Sequence, residues 1–191
     1  MSQVKTILEF WFGHPDAPDY GKPKADWFTE NAEFDQEIRN QFLSDYQKVA
    51  GGYLEGWIDA PESCLALILL LDQFPRNMFR GQPEAFATDW EAVSAAEHAV
   101  VKGYDSQLLP VQRWFIYLPF EHSENLSHQR QCVQLFQQLS HDPNSAKAIE
   151  NSLSHQAIIQ RFGRFPHRNS ILGRNSTKSE KEFLQKPSSW F

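Results

Sequence analysis

The chain has 191 residues and a net charge of −6, with 41% hydrophobic and 14% aromatic residues. This composition excludes an intrinsically disordered chain, and the length predicts one domain, 1–191, with a full-sized core rich in aromatic side chains. The acidic balance, without a lysine-rich run, excludes general nucleic-acid binding.

Apolar residues recur at three- and four-residue steps along most of the chain, which predicts helices. The run 65–71 is apolar on all sides and predicts a central helix. A buried parallel strand is the rival interpretation, which the Leu and Ala content of the run disfavours. In chain order the predicted helices cover 4–12, 31–49, the central run begun by Pro61, 88–102, 110–119, 123–139, 143–162 and a short helix that follows Thr177.

Single residues set three of these helix boundaries. Pro119 is expected to stop the helix that Pro110 begins. Ser123 is the expected N-cap of the next helix, with Glu124 near its positive end. The segment 177–180, Thr-Lys-Ser-Glu, matches a capping box. No run alternates like a strand between hairpin turns, so the sequence predicts an all-α fold of about eight helices.

Two segments of the chain are similar to each other in sequence. Residues 73–81 read Gln-Phe-Pro-Arg-Asn-Met-Phe-Arg-Gly, and residues 164–174 read Arg-Phe-Pro-His-Arg-Asn-Ser-Ile-Leu-Gly-Arg. Because proline interrupts a helix, we predict that each Phe-Pro segment is a helix-ending bend that presents guanidinium and amide groups. Their spacing exceeds the roughly 20–50 residues of a short solenoid repeat, so we interpret them as two similar bends.

Four long segments carry a family resemblance: ILEFWFG (7–13), LALILLLDQFPRNMFRG (65–81), RWFIYLPFEHSE (113–124) and RFGRFPHRNSILGR (161–174). With them the chain resembles an uncharacterised bacterial family, domain of unknown function 924, over essentially its whole length. The resemblance implies an all-helical, tetratricopeptide-like architecture. It implies no established activity, cofactor or catalytic residue.

The candidate ligand-binding residues are arginines and asparagines in and beside the two Phe-Pro segments. Converging guanidinium groups match two oxygens of a carboxylate or phosphate at once, which predicts a small anionic ligand. The alternative is that these arginines pair internally, Asp72 with Arg76 and Glu121 or Glu124 with the C-terminal arginines. The full set is Arg76, Asn77, Arg80, Arg161, Arg164, Arg168, Asn169 and Arg174.

The candidate catalytic residues are His122, His167 and Glu121, because an imidazole beside a carboxylate titrates near neutrality and suits acid–base chemistry. Glu124 and His128 share a helix face, but the ligand count of a closed metal site is lacking, so no metal site is predicted. Ser123 is explained better as a helix cap than as a nucleophile. Without a glycine-rich phosphate loop, no cofactor is predicted.

The charge of the chain is uneven. Residues 1–160 carry 11 Lys and Arg against 22 Asp and Glu, whereas residues 161–191 carry seven against two. This indicates either a basic segment folded back onto an acidic body, which we favour, or an anionic partner at the C-terminal end.

The two cysteines, Cys64 and Cys132, lie in apolar helical patterns without Cys-x-x-Cys spacing, so we expect buried free thiols in a reducing compartment. The chain does not open on a signal peptide, and its longest apolar run, 64–71, is too short to cross a bilayer. We therefore predict a soluble cytoplasmic protein that does not bind membranes.

Two functions remain from the sequence. The first is a pocket of Arg, His and carboxylate side chains that binds a small anionic ligand, with catalysis left open. The second is a non-enzymatic, tetratricopeptide-like scaffold that holds a partner peptide or protein in a groove. We favour the first because the polar side chains cluster in three bends. The first function predicts an enclosed pocket lined by Arg76, Arg80, His122, Arg164 and His167. The second predicts an open groove, with these side chains in mutual salt bridges.

Overall fold

The computed structural model describes residues 3–52 and 56–186, and in these ranges the chain forms eight α-helices and no strand. The all-α prediction is therefore confirmed. The predicted domain, 1–191, includes residues 1–2, 53–55 and 187–191, which lie outside the described residues. The helices are α1 (Gln3–Phe12), α2 (Ala32–Ala50), α3 (Pro61–Ile68, continued by Leu69–Gln73 and Phe74–Met78), α4 (Asp89–Val101), α5 (Pro110–His122), α6 (Leu126–Gln137), α7 (Ala146–Phe162) and α8 (Lys178–Leu184).

Helix α3 is the centre of the fold. Every residue from Cys64 to Pro75 is buried, and α1, α2, α4 and α5 pack around it. Removing a Leu or Ile side chain from water contributes roughly 1.5–3 kcal/mol. An all-round apolar helix is therefore stable only in this position, and the prediction of a central helix is confirmed.

One turn of α3, Leu69–Gln73, is a π-helix directly before Phe74 and Pro75. The Phe74 N–H donates to the carbonyl of Leu69, five residues back. Pro75 lacks an N–H and in a regular helix its ring clashes with the carbonyl four residues earlier. The wider turn accommodates the proline, so the helix continues to Met78. The first segment, 73–81, does end the helix, but at Met78, so the predicted position of the bend at Phe-Pro is wrong.

The second Phe-Pro segment is a bend, as predicted. Helix α7 ends at Phe162, Gly163 follows with a φ of 70°, and Pro166–Arg168 forms a single 3₁₀ turn. A positive φ is open to glycine without steric cost, which allows the chain to reverse at this point. The two similar sequences therefore have different conformations.

Two predicted boundaries around α5 are corrected. Pro119 does not stop the helix, which continues to His122; its buried side chains hold the last turn in place despite the lost backbone hydrogen bond. Ser123 is not the N-cap of α6. Asn125 has that position, and its side chain accepts the N–H of Ser127. Glu121 and His122 consequently lie on the last turn of a helix.

Other predictions on single residues are confirmed. Thr177 and Glu180 form a reciprocal capping box at the start of α8. Cys64 and Cys132 are free and buried, and burial raises the pKa of the Cys64 thiol to about 12. Among the described residues, no helix combines the length and apolar character that a membrane span requires.

Candidate functional site

A cleft of about 740 Å³ lies between α4, the C-terminal end of α5, the N-terminal end of α6 and the second Phe-Pro segment. Its apolar side includes Phe86, Trp90, Val93 and Leu172, and its polar side includes Asp89, Glu97, His122, Ser123, Glu124, His128 and Arg168. A second, more open depression runs along the exposed face of α2 and contains none of the predicted site residues. Of the two cavities, the first cleft is therefore the one that contains candidate functional residues.

His122 is held in the cleft wall by Asp72. Its Nδ1 lies 2.8 and 3.0 Å from the two carboxylate oxygens of Asp72. Asp72 is fully buried and also contacts Gln73 Nε2 at 2.6 Å and Arg76 Nη1 at 3.2 Å. Burial opposes ionisation of this carboxyl, but the charge of Arg76 and the contact with His122 hold its pKa well below the usual range. Asp72 is therefore a carboxylate with fixed partners.

The protonation state of His122 follows from these surroundings. Burial and the positive charge of Arg76 lower the pKa of His122, and together they outweigh the opposing effect of Asp72. A neutral ring beside a carboxylate carries its proton on Nδ1, which donates to Asp72 and leaves a lone pair on Nε2. Among the described residues Nε2 has no hydrogen-bond partner.

Arg168 lies in the same cleft and is only 6% exposed. Its guanidinium carbon is 4.6 Å from the ring centre of Phe86 and 4.7 Å from that of Phe165. Nη1 donates to Asp89 Oδ2 at 3.1 Å, whereas the buried Nε has no partner among the described residues. Burial, followed by the charge of Arg76, lowers the pKa of Arg168 to about 10. The group is therefore still charged at neutral pH.

Asp89 joins the two Phe-Pro segments. Its Oδ1 accepts from Arg76 Nη2 at 2.8 Å, and its Oδ2 accepts from Arg168. Arg76 has a second carboxylate partner in Asp72, but Asp89 is the only carboxylate of the described residues within 4 Å of the Arg168 guanidinium. The charges of Arg76 and Arg168 are thus balanced, while the donors of Arg168 are satisfied only in part.

The remaining predicted ligand residues lie outside the cleft lining, most of them in internal pairs. Arg80 makes two contacts with Asp35, at 2.7 and 2.8 Å, and Asn77 donates to the same carboxylate. Arg164 forms a two-pronged pair with Glu180, and Arg174 forms one with Glu124. Asn169 donates to Ser176, and Arg161 packs over the Phe162 ring. Of these pairs, that of Arg174 with Glu124 was considered from the sequence, whereas Asp35 and Glu180 are partners that the sequence did not suggest.

Glu121 and His167 are close to the cleft but do not line it. Burial and the charge of Asp72 raise the pKa of Glu121 to about 8, so this carboxyl is protonated at neutral pH. Burial also lowers the pKa of His155 to about 3. The 3.4 Å contact of Glu121 with His155 is therefore one between neutral groups. Burial and Arg168 lower the pKa of His167 to about 4. Of the three predicted catalytic residues, the structure places only His122 in the cleft.

Two cleft carboxylates, Asp89 and Glu97, have no clear signal in the sequence. Asp89 is the first residue of α4, where an acidic side chain already has an explanation in the helix dipole. Ser123 hydrogen-bonds His128 Nδ1 at 2.9 Å, and His128 Nε2 lies 3.6 Å from Glu97. In the described part of the chain, no group of three or more His, Cys, Asp or Glu side chains is arranged to hold a metal ion.

Comparisons with known proteins agree with this fold. The sequence model of a bacterial protein family of unknown function, DUF924, matches residues 7–188. The chain is also similar to the solved structure of ATU0120, a protein of unknown function from Agrobacterium tumefaciens, with 38% sequence identity and a TM-score of 0.84. That match covers 95% of this chain and 96% of the other. No curated protein matches the chain.

Proposed function

Because the chain belongs to the bacterial family of unknown function DUF924, which brings no activity with it, we propose a function from the chemistry of the cleft. The cleft binds a small molecule that carries a carboxylate or phosphate group, and Arg168 is the residue that recognises this anion. The observation that carries the proposal is the guanidinium of Arg168, almost completely buried and only partly paired.

An unpaired buried donor is costly, about 1–3 kcal/mol for each group, so proteins rarely keep one without a use. Arg168 offers five N–H donors, of which Asp89 accepts from Nη1. The rings of Phe86 and Phe165 hold the guanidinium plane in place. A guanidinium fixed before the ligand arrives loses little side-chain entropy on binding, which favours affinity.

The rest of the lining limits the size and charge of the ligand. Three carboxylates, of Asp89, Glu97 and Glu124, line the cleft, and Arg168 is its one arginine among the described residues, so the cleft suits a ligand with a single anionic group better than a polyphosphate. Trp90 at the rim is 72% exposed, and Leu172 is also exposed. An apolar part of the ligand can cover these side chains and remove them from water.

Titration calorimetry with acetate, benzoate and inorganic phosphate tests the proposal. We expect saturable binding to the unmodified protein, with benzoate bound more tightly than acetate because its ring reaches the apolar rim. Arg168→Lys keeps the charge but loses the planar fork of donors, so we expect affinity to fall roughly tenfold or more. Arg130→Ala, which removes an exposed arginine of α6, is the matched control and leaves binding unchanged.

Circular dichroism checks that Arg168→Lys remains folded, and Arg168→Gln provides a second variant of similar length. Binding that is equally tight in both variants and in the unmodified protein places the anion elsewhere. If none of the three anions gives a heat of binding, the proposal is contradicted directly.

The scaffold function has one observation in its favour. Arg80, Arg164 and Arg174 are all in internal salt bridges, as that hypothesis expects. A peptide held along the exposed Trp90 and Leu172 needs the rim and not Arg168. Trp90→Ala should therefore weaken peptide binding while Arg168→Lys leaves it unchanged, which is the opposite of the pattern for acetate.

A further inference from the structure

We propose that His122 is the catalytic general base of this cleft, with Nε2 removing a proton from a carboxylate-bearing substrate, or from a water molecule beside it, while Arg168 holds the carboxylate. The X–H bond breaks, its electron pair stays on X, and the proton goes to Nε2. This rests on the proposed function, because it takes the anion site at Arg168 as the place where the substrate is held.

The first support is the direction in which the ring is held. Nδ1 contacts both oxygens of Asp72, and Asp72 is itself fixed by Gln73 and Arg76. This arrangement leaves the lone pair on Nε2, the nitrogen that has no partner among the described residues. A proton taken up by Nε2 turns the ring into an imidazolium, which the adjacent carboxylate stabilises.

The second support is the position of His122 relative to Arg168. Both side chains line the same cleft, and they are close enough for the charge of Arg168 to act on the imidazole. A bound carboxylate therefore brings the rest of the small molecule to the imidazole. Such positioning converts a bimolecular proton transfer into one within a complex.

The third support is the π-helical turn of α3, which contains Asp72 and Gln73. Single π turns inside α-helices occur frequently at functional sites. A histidine that served only to connect α5 with α3 has no need of an unpartnered nitrogen in an open cleft. The cleft thus contains an oriented base, a carboxylate that orients it and a cation for the substrate.

Alkylation by bromoacetate tests the proposal without a known substrate. Bromoacetate carries the carboxylate that Arg168 is proposed to hold, and a carbon that a free imidazole nitrogen attacks. The Nε2 lone pair forms the N–C bond, the C–Br bond breaks and bromide leaves. Bromoacetamide is the matched neutral reagent, and the modified residues are located by mass spectrometry of peptides. His141, which is exposed, is the internal reference.

We expect carboxymethylation of His122 at Nε2, roughly tenfold or more faster with bromoacetate than with bromoacetamide, while His141 shows no such preference. Arg168→Gln removes this preference for bromoacetate. Asp72 is a positioning residue, and Asp72→Asn, checked for folding by circular dichroism, should slow alkylation and reduce the share of product at Nε2. A residue with only a structural role does not change which nitrogen reacts.

The outcomes separate the two proposals. If acetate binds through Arg168 but His122 reacts no faster with bromoacetate than His141 does, the catalytic proposal is overturned and the anion site remains. If His122 reacts rapidly but equally with both reagents, and no anion binds, the proposed carboxylate site at Arg168 is overturned. The proposed role of His122 as a base toward a bound carboxylate is then overturned as well.

Discussion

His122 Nδ1 lies 2.8 and 3.0 Å from the two carboxylate oxygens of Asp72, a residue fifty positions earlier in the chain. The pair connects the last turn of α5 with the π-helical turn of α3. It also connects the cleft with the centre of the core, because Asp72 is fully buried whereas His122 lines the cleft.

Replacing Asp72 should strongly destabilise the fold. Asp72→Ala removes a fully buried carboxylate from the partly buried Arg76 and His122, and breaking a buried charge pair costs up to about 3–5 kcal/mol, less where Asp89 still pairs with Arg76. Urea denaturation measures the change in free energy of unfolding. Asp16→Ala removes an exposed carboxylate and should change it by less than about 0.5 kcal/mol. A similarly small effect for Asp72→Ala contradicts the importance of the pair.

Glu121 should make the free energy of unfolding fall as the pH rises from about 4.5 to about 8. The folded-state pKa of about 8 lies above the ordinary value of 4.5. The stabilisation by its neutral form is therefore complete below about pH 4.5 and is lost as the pH rises through 8. His155 and His167 have lowered pKa values of about 3 and 4 and act in the opposite direction, but only up to about pH 6.5.

Between pH 6.5 and 8 the fall in the free energy of unfolding that Glu121 causes is therefore not offset by those histidines. We expect the free energy of unfolding of the unmodified protein to fall relative to Glu121→Gln by up to about 1.4 kcal/mol per pH unit. Urea denaturation at several pH values measures it. Glu150→Gln, at an exposed position of α7, should run parallel to the unmodified protein. Parallel curves for Glu121→Gln as well show that Glu121 is already ionised in the folded state.

Arg164 should hold the C-terminal helix and not the ligand. Its Nε and Nη2 contact the two oxygens of Glu180 at 2.7 and 2.9 Å, and Nη2 also donates to the Asn175 carbonyl. Arg164→Ala should increase hydrogen exchange in α8 and leave acetate binding unchanged. Lys178→Ala, at the exposed start of the same helix, is the control and should have little effect on exchange. Weaker acetate binding in Arg164→Ala means that this arginine belongs to the anion site after all.

The helical class and the chemical character of the site could be predicted from the sequence, because both depend on local patterns. The spacing of apolar residues predicts most helices, and the four-residue spacing of Asp72 and Arg76 predicts their contact. Pro75 and Pro119 mislead, because the π turn accommodates the first proline and buried side chains hold the helix together at the second. The two other contacts of the site, Arg168 with Asp89 and His122 with Asp72, join residues 79 and 50 positions apart. Local spacing contains no information on such pairs.

The partners of the basic C-terminal segment, too, could not be predicted from local spacing. Its excess charge is visible in the composition, and two of its arginines pair with acidic side chains of the preceding body, Arg168 with Asp89 and Arg174 with Glu124. These contacts agree with a segment folded back onto that body. Arg76 and Arg168 share the carboxylate of Asp89, and this sharing, which leaves donors of Arg168 unpaired, becomes visible only in three dimensions.

The π-helical turn of α3 and Pro75 depend on each other. A π turn accommodates one residue more than a regular α-helical turn does. Deleting one residue from Leu69–Leu71 would close this turn into regular α geometry, and the Pro75 ring would then clash with the carbonyl four residues earlier. A relative that has lost this single codon keeps a continuous α3 only with another residue in place of Pro75.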